Sequence, residues 1–305
     1  MQPAPASTPD LRDIVSRLGG DLYDGGKAAL IPGPGHSKGD RSLSLRIIGG
    51  RLVWHSFAND DPAEVWRYLG LDGRQLAPMS AAEAAKARAE RERERKAADA
   101  RRQAFCRDVW ASTVNVEGSP AERYLRDVRK IAGPLSTALR FAPAVPLGYN
   151  PGAKRLPALV AMATRPDHYP AGLHATFLLP DGSGKAPLSN ARLTFWGLEG
   201  GAVRLAPYAP GGEVLGIAEG IETALSFRDL HGVPTWAAGS TAGLQAFEPP
   251  RGLSRLIVAA DNDANGQGMK AARALAARVS KRCEVVIAAP EAAKDWNDVA
   301  QEAAR

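Results

Sequence analysis

The spacing of apolar positions changes period several times along the chain. In LRDIVSRLGG the residues Leu11, Ile14, Val15 and Leu18 recur at helical spacing and stop at a glycine pair, which predicts a short amphipathic helix. Period two then takes over. SLSLRI and RLVWHSF, separated by Gly49 and Gly50, read as a β-hairpin that follows the Pro/Gly-rich loop IPGPGHSKGD. DPAEVWRYLGL returns to helical spacing, with Asp61 as the cap, Pro62 at the first helical position and Glu64 three residues past the cap. These elements predict a small β-rich module over residues 10–72.

Residues 80–104 are almost entirely Ala, Glu, Arg and Lys, so they predict an exposed, charged helical connector rather than part of a core. From 105 to 210 the pattern is mixed: SPAERYLRDV reads as a helix capped by Ser119, and PALVAMAT, GLHATFLL and GGAVRL read as short strands. An α+β subdomain follows from this. Over 211–305 strand and helix alternate: VLGIAE, IETALSFRDLH, VPTWAA, STAGLQAF, RLIVAA, GMKAARALAARVSK, EVVIAA and a last helix near NDVAQEA. Apolar strands joined by helices predict an α/β domain, its parallel sheet flanked by helices and buried on both faces.

Sites on such a sheet gather where the strands end. Glu219 closes the first strand, and Gly220 lets the backbone turn into the next helix. Asp261 and Asp263 follow the third strand. Residues two apart in extended chain point the same way, so both aspartates are expected to face one ion while Asn262 faces away. Asp295 and Asp298 follow the fourth strand, and Glu222 opens the first helix. Crowded carboxylates repel unless protons or cations intervene, and oxygen ligands alone favour Mg²⁺ or Mn²⁺. Plainer roles compete for some of them: Glu222 as a partner of the helix dipole, Asp295 and Asn297 as helix-capping residues. The run from Asp261 to Gly266 opens like an EF-hand loop, but its twelfth position is Ala272 instead of a glutamate and a strand precedes it. A phosphatase with its D-x-D after the first strand would need most of its catalytic core downstream, and too little chain remains there.

Composition adds little. The 305 residues leave room for more than one domain, and 39 basic against 33 acidic residues give a net charge of +6, a mild lean toward anionic partners. The two cysteines, Cys106 and Cys283, are far apart and have no metal-spaced partner, so neither a disulfide framework nor zinc is expected. No apolar run spans a bilayer and the N-terminus has no signal pattern. A soluble, cytoplasmic protein without membrane association is the expectation.

Three motifs in order, GIAEGIETALS, AADNDANGQG and KDWND, resemble the Toprim domain of bacterial primases, type IA and II topoisomerases and certain nucleases. The resemblance covers the final third of the chain and implies that Glu219, Asp261 and Asp263 are the catalytic acids, with Asp295 and Asp298 in the element corresponding to the last primase motif. Upstream, SPAERYLRDV, ATFLLPDGSGKA and GGAVRLAP are similar to phage- and plasmid-type primases of mobile elements. ALIPGPGHSKGDRSLSLR with LVWHSFANDDPAEV is similar to their zinc-ribbon module, but here Ile31 and Ser56 stand among positions where cysteines would be. His36 and His55 alone do not make a structural zinc site. The ribbon is therefore expected to persist without metal, packed by Leu43, Leu45, Val53 and Trp54, with His36 and His55 as hydrogen-bonded loop residues.

The resemblance implies a primase that makes short RNA on single-stranded DNA from ribonucleoside triphosphates during DNA replication. Asp261 and Asp263 would be metal ligands, Asp295 or Asp298 would assist through water, and Glu219 would be a general base or a further ligand. Lys154, Arg155, Lys185, Arg192 and Arg204 would hold template or triphosphate, and Lys38, Arg41 and Arg46 would contact DNA. No P-loop is present, so a separate replicative helicase is the expected partner. The same acids also suit a Toprim nuclease. A non-catalytic DNA-binding accessory protein is the third reading, and a topoisomerase is disfavoured because no domain for a tyrosine nucleophile fits.

Overall fold

The computed structural model describes residues 10–48, 51–70, 81–150, 152–198, 200–208 and 213–305, with backbone alone over 81–87. The expected turn at Gly49 and Gly50 and the boundaries near 72, 80 and 210 lie outside the described residues. The chain forms two compact units, Met1–Ala97 and Ala98–Arg305.

In the first unit, α1 (Leu11–Leu18) is capped by Asp10, whose carboxylate accepts from the Arg12 N–H. Strands β1 (Asp21–Tyr23), β2 (Ala28–Ile31), β3 (Leu43–Ile48) and β4 (Arg51–Ser56) make an antiparallel sheet in that order. Helix α2 (Pro62–Leu69) begins at Asp61, which accepts from the N–H groups of Ala63 and Glu64, as its sequence predicts. The core holds Leu43 and Leu45 with Leu11, Ile31, Val65 and Leu69, and Trp54 meets Trp66 edge to face. Val53 is a correction to the expected packing. Alternation on β4 turns Leu52 inward and leaves Val53 41% exposed. His55 is likewise a strand residue, not a loop one, and meets Phe57 edge to face. His36 does lie in a loop, 2.8 Å from Asp40 and 2.9 Å from Ser42.

Helix α3 (Ala81–Ala111) extends beyond the predicted connector because Cys106 and Val109 find a core to join. In the second unit, α4 (Pro120–Arg123) is capped by Ser119, and a single π-helical turn, Tyr124–Val128, continues it. Strands β5 (Leu139–Pro146), β6 (Arg155–Thr164), β7 (Pro170–Phe177), β8 (Arg192–Phe195) and β9 (Ala202–Val203) pair antiparallel. The α/β part then follows: β10 (Val214–Ala218), α5 (Ile221–His231), β11 (Thr235–Ala237), α6 (Thr241–Ala246), β12 (Arg255–Ala259), α7 (Gln267–Val279), β13 (Glu284–Ala288) and α8 (Trp296–Ala303).

Strands β13, β12, β10 and β11 are parallel neighbours in that order. Helices α5 and α8 pack together, as do α6 and α7. Two-residue β9 bonds both β6 and β11, so the expected α+β and α/β parts share one sheet of nine strands among the described residues. One expectation changes: β13 is not buried on both faces. It is the last strand in the order, and Val286 is 39% exposed on it. No helix among the described residues is long and apolar enough to cross a membrane.

Candidate functional site

Register places the acids. Ala218, Ala259 and Ala288 are paired neighbours on β10, β12 and β13, so the chain leaves all three strands at one level. Glu219 follows the first, Asp261 and Asp263 the second, and Asp295 the third. The sheet order reverses between β10 and β12, which opens the crevice where α/β sheets bind ligands. The Asn262 N–H donates to Lys294 O at 2.7 Å, which ties the segment after β12 to the one before α8.

Each acid is steered by hydrogen bonds from its neighbours. The Thr241 hydroxyl donates to Glu219 Oε2 at 3.0 Å, and the Thr223 hydroxyl to Asp261 Oδ1 at 3.4 Å. The Gly268 N–H donates to Asp263 Oδ2 at 3.3 Å. Asp295 Oδ1 accepts from the N–H groups of Asn297 and Asp298, so this residue does cap α8. Burial pushes the Asp261 carboxyl up to about 7, and Asp295, Glu219 and Asp263 add to the shift. Asp298 is also raised, by burial and then by Asp295.

That crowding tests the site for a cation. The donors are all carboxylate oxygens, and Asp261 carries the repulsion of three others, a situation that a hard divalent ion relieves. The chemistry fits Mg²⁺ or Mn²⁺. As the side chains stand, no three His, Cys, Asp or Glu among the described residues are grouped to hold an ion.

Glu222 stands apart from the rim. It is 6% exposed, accepts from the Tyr124 hydroxyl at 2.7 Å and pairs with Lys185 Nζ at 2.8 Å. Burial opposes its charge, but Lys185 and Tyr124 outweigh that and hold the carboxyl far below the usual range. Lys185 is therefore engaged with a protein carboxylate. Arg192 is exposed, and its Nη1 lies 3.8 Å from where a Cβ on Gly220 would sit, beside Glu219. Lys154 and Arg155 are exposed at the start of β6. Arg204 stacks over Trp236 at 4.8 Å and donates to His168 and to Arg165 O. In the first unit, Arg41 is bound to Asp21 and to two carbonyls, while Lys38 and Arg46 are exposed.

The sequence reading did not select Thr223, Thr241, Tyr124, Arg129 or His174. Only the two threonines carried a signal, since each lies in the first turn after an acid-bearing or neighbouring strand. His174 is buried and lowered to about 4, by burial first, with Arg192 and Lys185 adding to the fall and Glu222 opposing it.

Two parts of the chain match family models. Residues 214–305 match the family described as the Toprim domain, and residues 100–205 match a domain of unknown function, DUF7146. The C-terminal part of the chain is thus a Toprim domain, built on a mixed α/β fold. Among solved structures, the primase of Aquifex aeolicus (zinc-binding and RNA polymerase domains) is 14% identical over 98% of this chain and 83% of its own, with a TM-score of 0.43. The primase fragment of the bacteriophage T7 primase-helicase is 13% identical over 59% of this chain, TM-score 0.38, and the chain spans 65% of that fragment. The Escherichia coli primase catalytic core is 11% identical over 60% of this chain and 69% of its own, TM-score 0.41.

Proposed function

We propose that the chain is a primase-type nucleotidyl transferase that joins ribonucleotides on single-stranded DNA, with Mg²⁺ or Mn²⁺ held by Asp261 and Asp263 and with Glu219 as a further ligand or as the general base. The observation that carries this reading is the carboxylate rim of a Toprim domain in which Asp261 is held at about 7 by burial and three acidic neighbours. When bound, the divalent ion would supply charge to the transferring phosphate. Thr241 fixes the orientation of Glu219, which leaves this carboxylate directed as a ligand or as an acceptor for a hydroxyl proton. Asp295 and Asp298 sit one segment away and add negative field. Arg192, next to Gly220, meets the phosphates of template or nucleotide, and exposed Lys154 and Arg155 extend the positive track. Lys38 and Arg46 offer DNA contacts on the first unit. A helicase encoded by a separate chain and service to a mobile element fit the same reading.

The test is to incubate the protein with single-stranded DNA, labelled ribonucleotides and Mg²⁺ or Mn²⁺, beside Asp261→Asn and Asp263→Asn. Metal-dependent RNA products that vanish in both variants support the reading. Shortened DNA identifies a nuclease instead, and DNA binding with neither product identifies an accessory protein.

A further inference from the structure

Tyr124–Val128 is one turn of π-helix, closed by the Arg129 N–H reaching back to Tyr124 O at 3.0 Å. Such turns are rare and give up regular helical geometry. What this one achieves is an alignment. In an α-helix residues five apart diverge by about 140° around the axis, but here Arg129 comes round over the Tyr124 ring, 5.3 Å from its centroid, and Arg129 Nε donates to the Tyr124 hydroxyl at 2.8 Å.

The pair has a partner on each side. Toward α5, the Tyr124 hydroxyl donates to Glu222 in the helix's first turn, two residues from Gly220 and three from Glu219. Toward α8, Arg129 Nη1 donates to Asn297 Oδ1 at 3.3 Å, and Asn297 Nδ2 donates to Arg129 O at 2.7 Å and to Ser226 Oγ on α5 at 2.9 Å. Asn297 is 1% exposed, and its own N–H is bound by Asp295. A continuous chain of hydrogen bonds thus runs from the helix behind Glu219 to the helix headed by Asp295. Its middle members come from the part of the chain preceding the Toprim domain.

We propose that Tyr124 and Arg129 are positioning residues for the carboxylate rim, bracing the first turn of α5 against the first turn of α8 so that Glu219 and Asp295 keep the spacing a divalent cation needs. This rests on the rim being a cation site, as proposed above. Packing alone would hold two helices together, but it would not require a π-helical turn that brings one phenol and one guanidinium into line.

The test is Mn²⁺ titration of the full chain, with free Mn²⁺ read by electron paramagnetic resonance, for the parent, Tyr124→Phe, Arg129→Lys and Asp261→Asn. Tyr124→Phe keeps the ring and deletes the bond to Glu222; Arg129→Lys keeps the charge and shortens the reach to Asn297. Each acts one step behind the ligands, through Glu222 or Asn297, and is expected to weaken Mn²⁺ binding by about fivefold, less than the roughly tenfold or more that loss of a ligand's own partner costs, with circular dichroism and single-stranded DNA affinity unchanged. Mn²⁺ affinity within about twofold of the parent in either folded variant overturns the proposal. A parent that binds no Mn²⁺, or an Asp261→Asn variant that binds as the parent does, overturns the reading of the rim itself and the proposal with it.

Discussion

The Lys185 ammonium lies 2.8 Å from Glu222 Oε1, joining the segment between β7 and β8 to the first turn of α5. The carboxylate side chain is 8% exposed and the lysine side chain 26%. Removing one partner of such a pair strands the other charge, at a cost of about 3 kcal/mol, whereas replacing both with apolar groups costs far less. Lys185→Met is expected to lower the urea midpoint sharply, and Lys185→Met with Glu222→Gln, which removes the second charge but keeps an acceptor for the Tyr124 hydroxyl, to recover most of the loss. A double variant no more stable than the single one contradicts this. Acid weakens the same pair. The folded carboxyl of Glu222 lies below its ordinary value, so its contribution is complete above that value and is lost as pH falls toward the folded one.

His174 gives a pH dependence in a different window. Burial pushes its imidazole down to about 4, while the unfolded chain keeps the ordinary value near 6.5. Between these limits the unfolded state binds more protons, so stability rises with pH through the window and falls as pH drops from 6.5 to 4. The full shift corresponds to about 3 kcal/mol. Asp261, raised to about 7, acts in the opposite sense over the same range, so the test is the difference between two proteins. From pH 7 to pH 5 (about one and a half units inside the window) His174→Gln is expected to gain urea stability relative to the parent, and an unchanged difference contradicts this. The neighbouring charges, Glu222, Arg192 and Lys185, remain in both proteins, so they drop out of the comparison.

The carboxylates were legible because strand ends announce themselves: an apolar run of Val, Ile and Leu stops, and Glu219, Asp261 and Asp263 stand where it stops. The braces behind them were not. Tyr124 reaches Glu222 across 98 residues and Arg129 reaches Asn297 across 168, separations over which a single sequence carries no period. The union of the two parts into one sheet was hidden for a related reason. Two-residue Ala202–Val203 makes the join, and a strand that short leaves no alternation to read. Lys185 and Arg204 illustrate the limit on charge patterns, since a basic residue in a chain looks the same whether it meets phosphate, a buried glutamate or an indole.

Gly268 offers a test of the Asp261 loop from behind. A Cβ added there would lie 2.8 Å from Asp261 O and 3.1 Å from Asp261 Cβ, contacts with backbone and with the root of the side chain that no rotamer relieves. Gly268→Ala is expected to keep helix α7, since alanine favours a helix over glycine by about 1 kcal/mol, and yet to weaken Mn²⁺ binding by shifting Asp261. Titration of Mn²⁺ against the parent checks it, and equal affinity in a folded Gly268→Ala chain contradicts it.

Arg192 and Arg204 look equivalent in sequence and separate in the structure. The Arg192 guanidinium stands beside Gly220, exposed, next to the rim. Arg204 is spent on the protein: it covers Trp236, donates to His168 and Arg165 O, and has Nε buried without a partner. If Arg192 meets phosphate, Arg192→Ala weakens single-stranded DNA binding and flattens its salt dependence by about 0.7 in log–log slope, the increment of one single-strand contact. Arg204→Ala should instead leave that slope alone and lower the melting midpoint, because it removes a cation–π contact of about 1 kcal/mol or more together with two hydrogen bonds. Fluorescence anisotropy with labelled oligonucleotide across a salt series, paired with thermal melts, distinguishes the two. Reversed outcomes, with Arg204 changing the slope and Arg192 the melting midpoint, would place the nucleic-acid path on the Trp236 side of the sheet and away from the carboxylates.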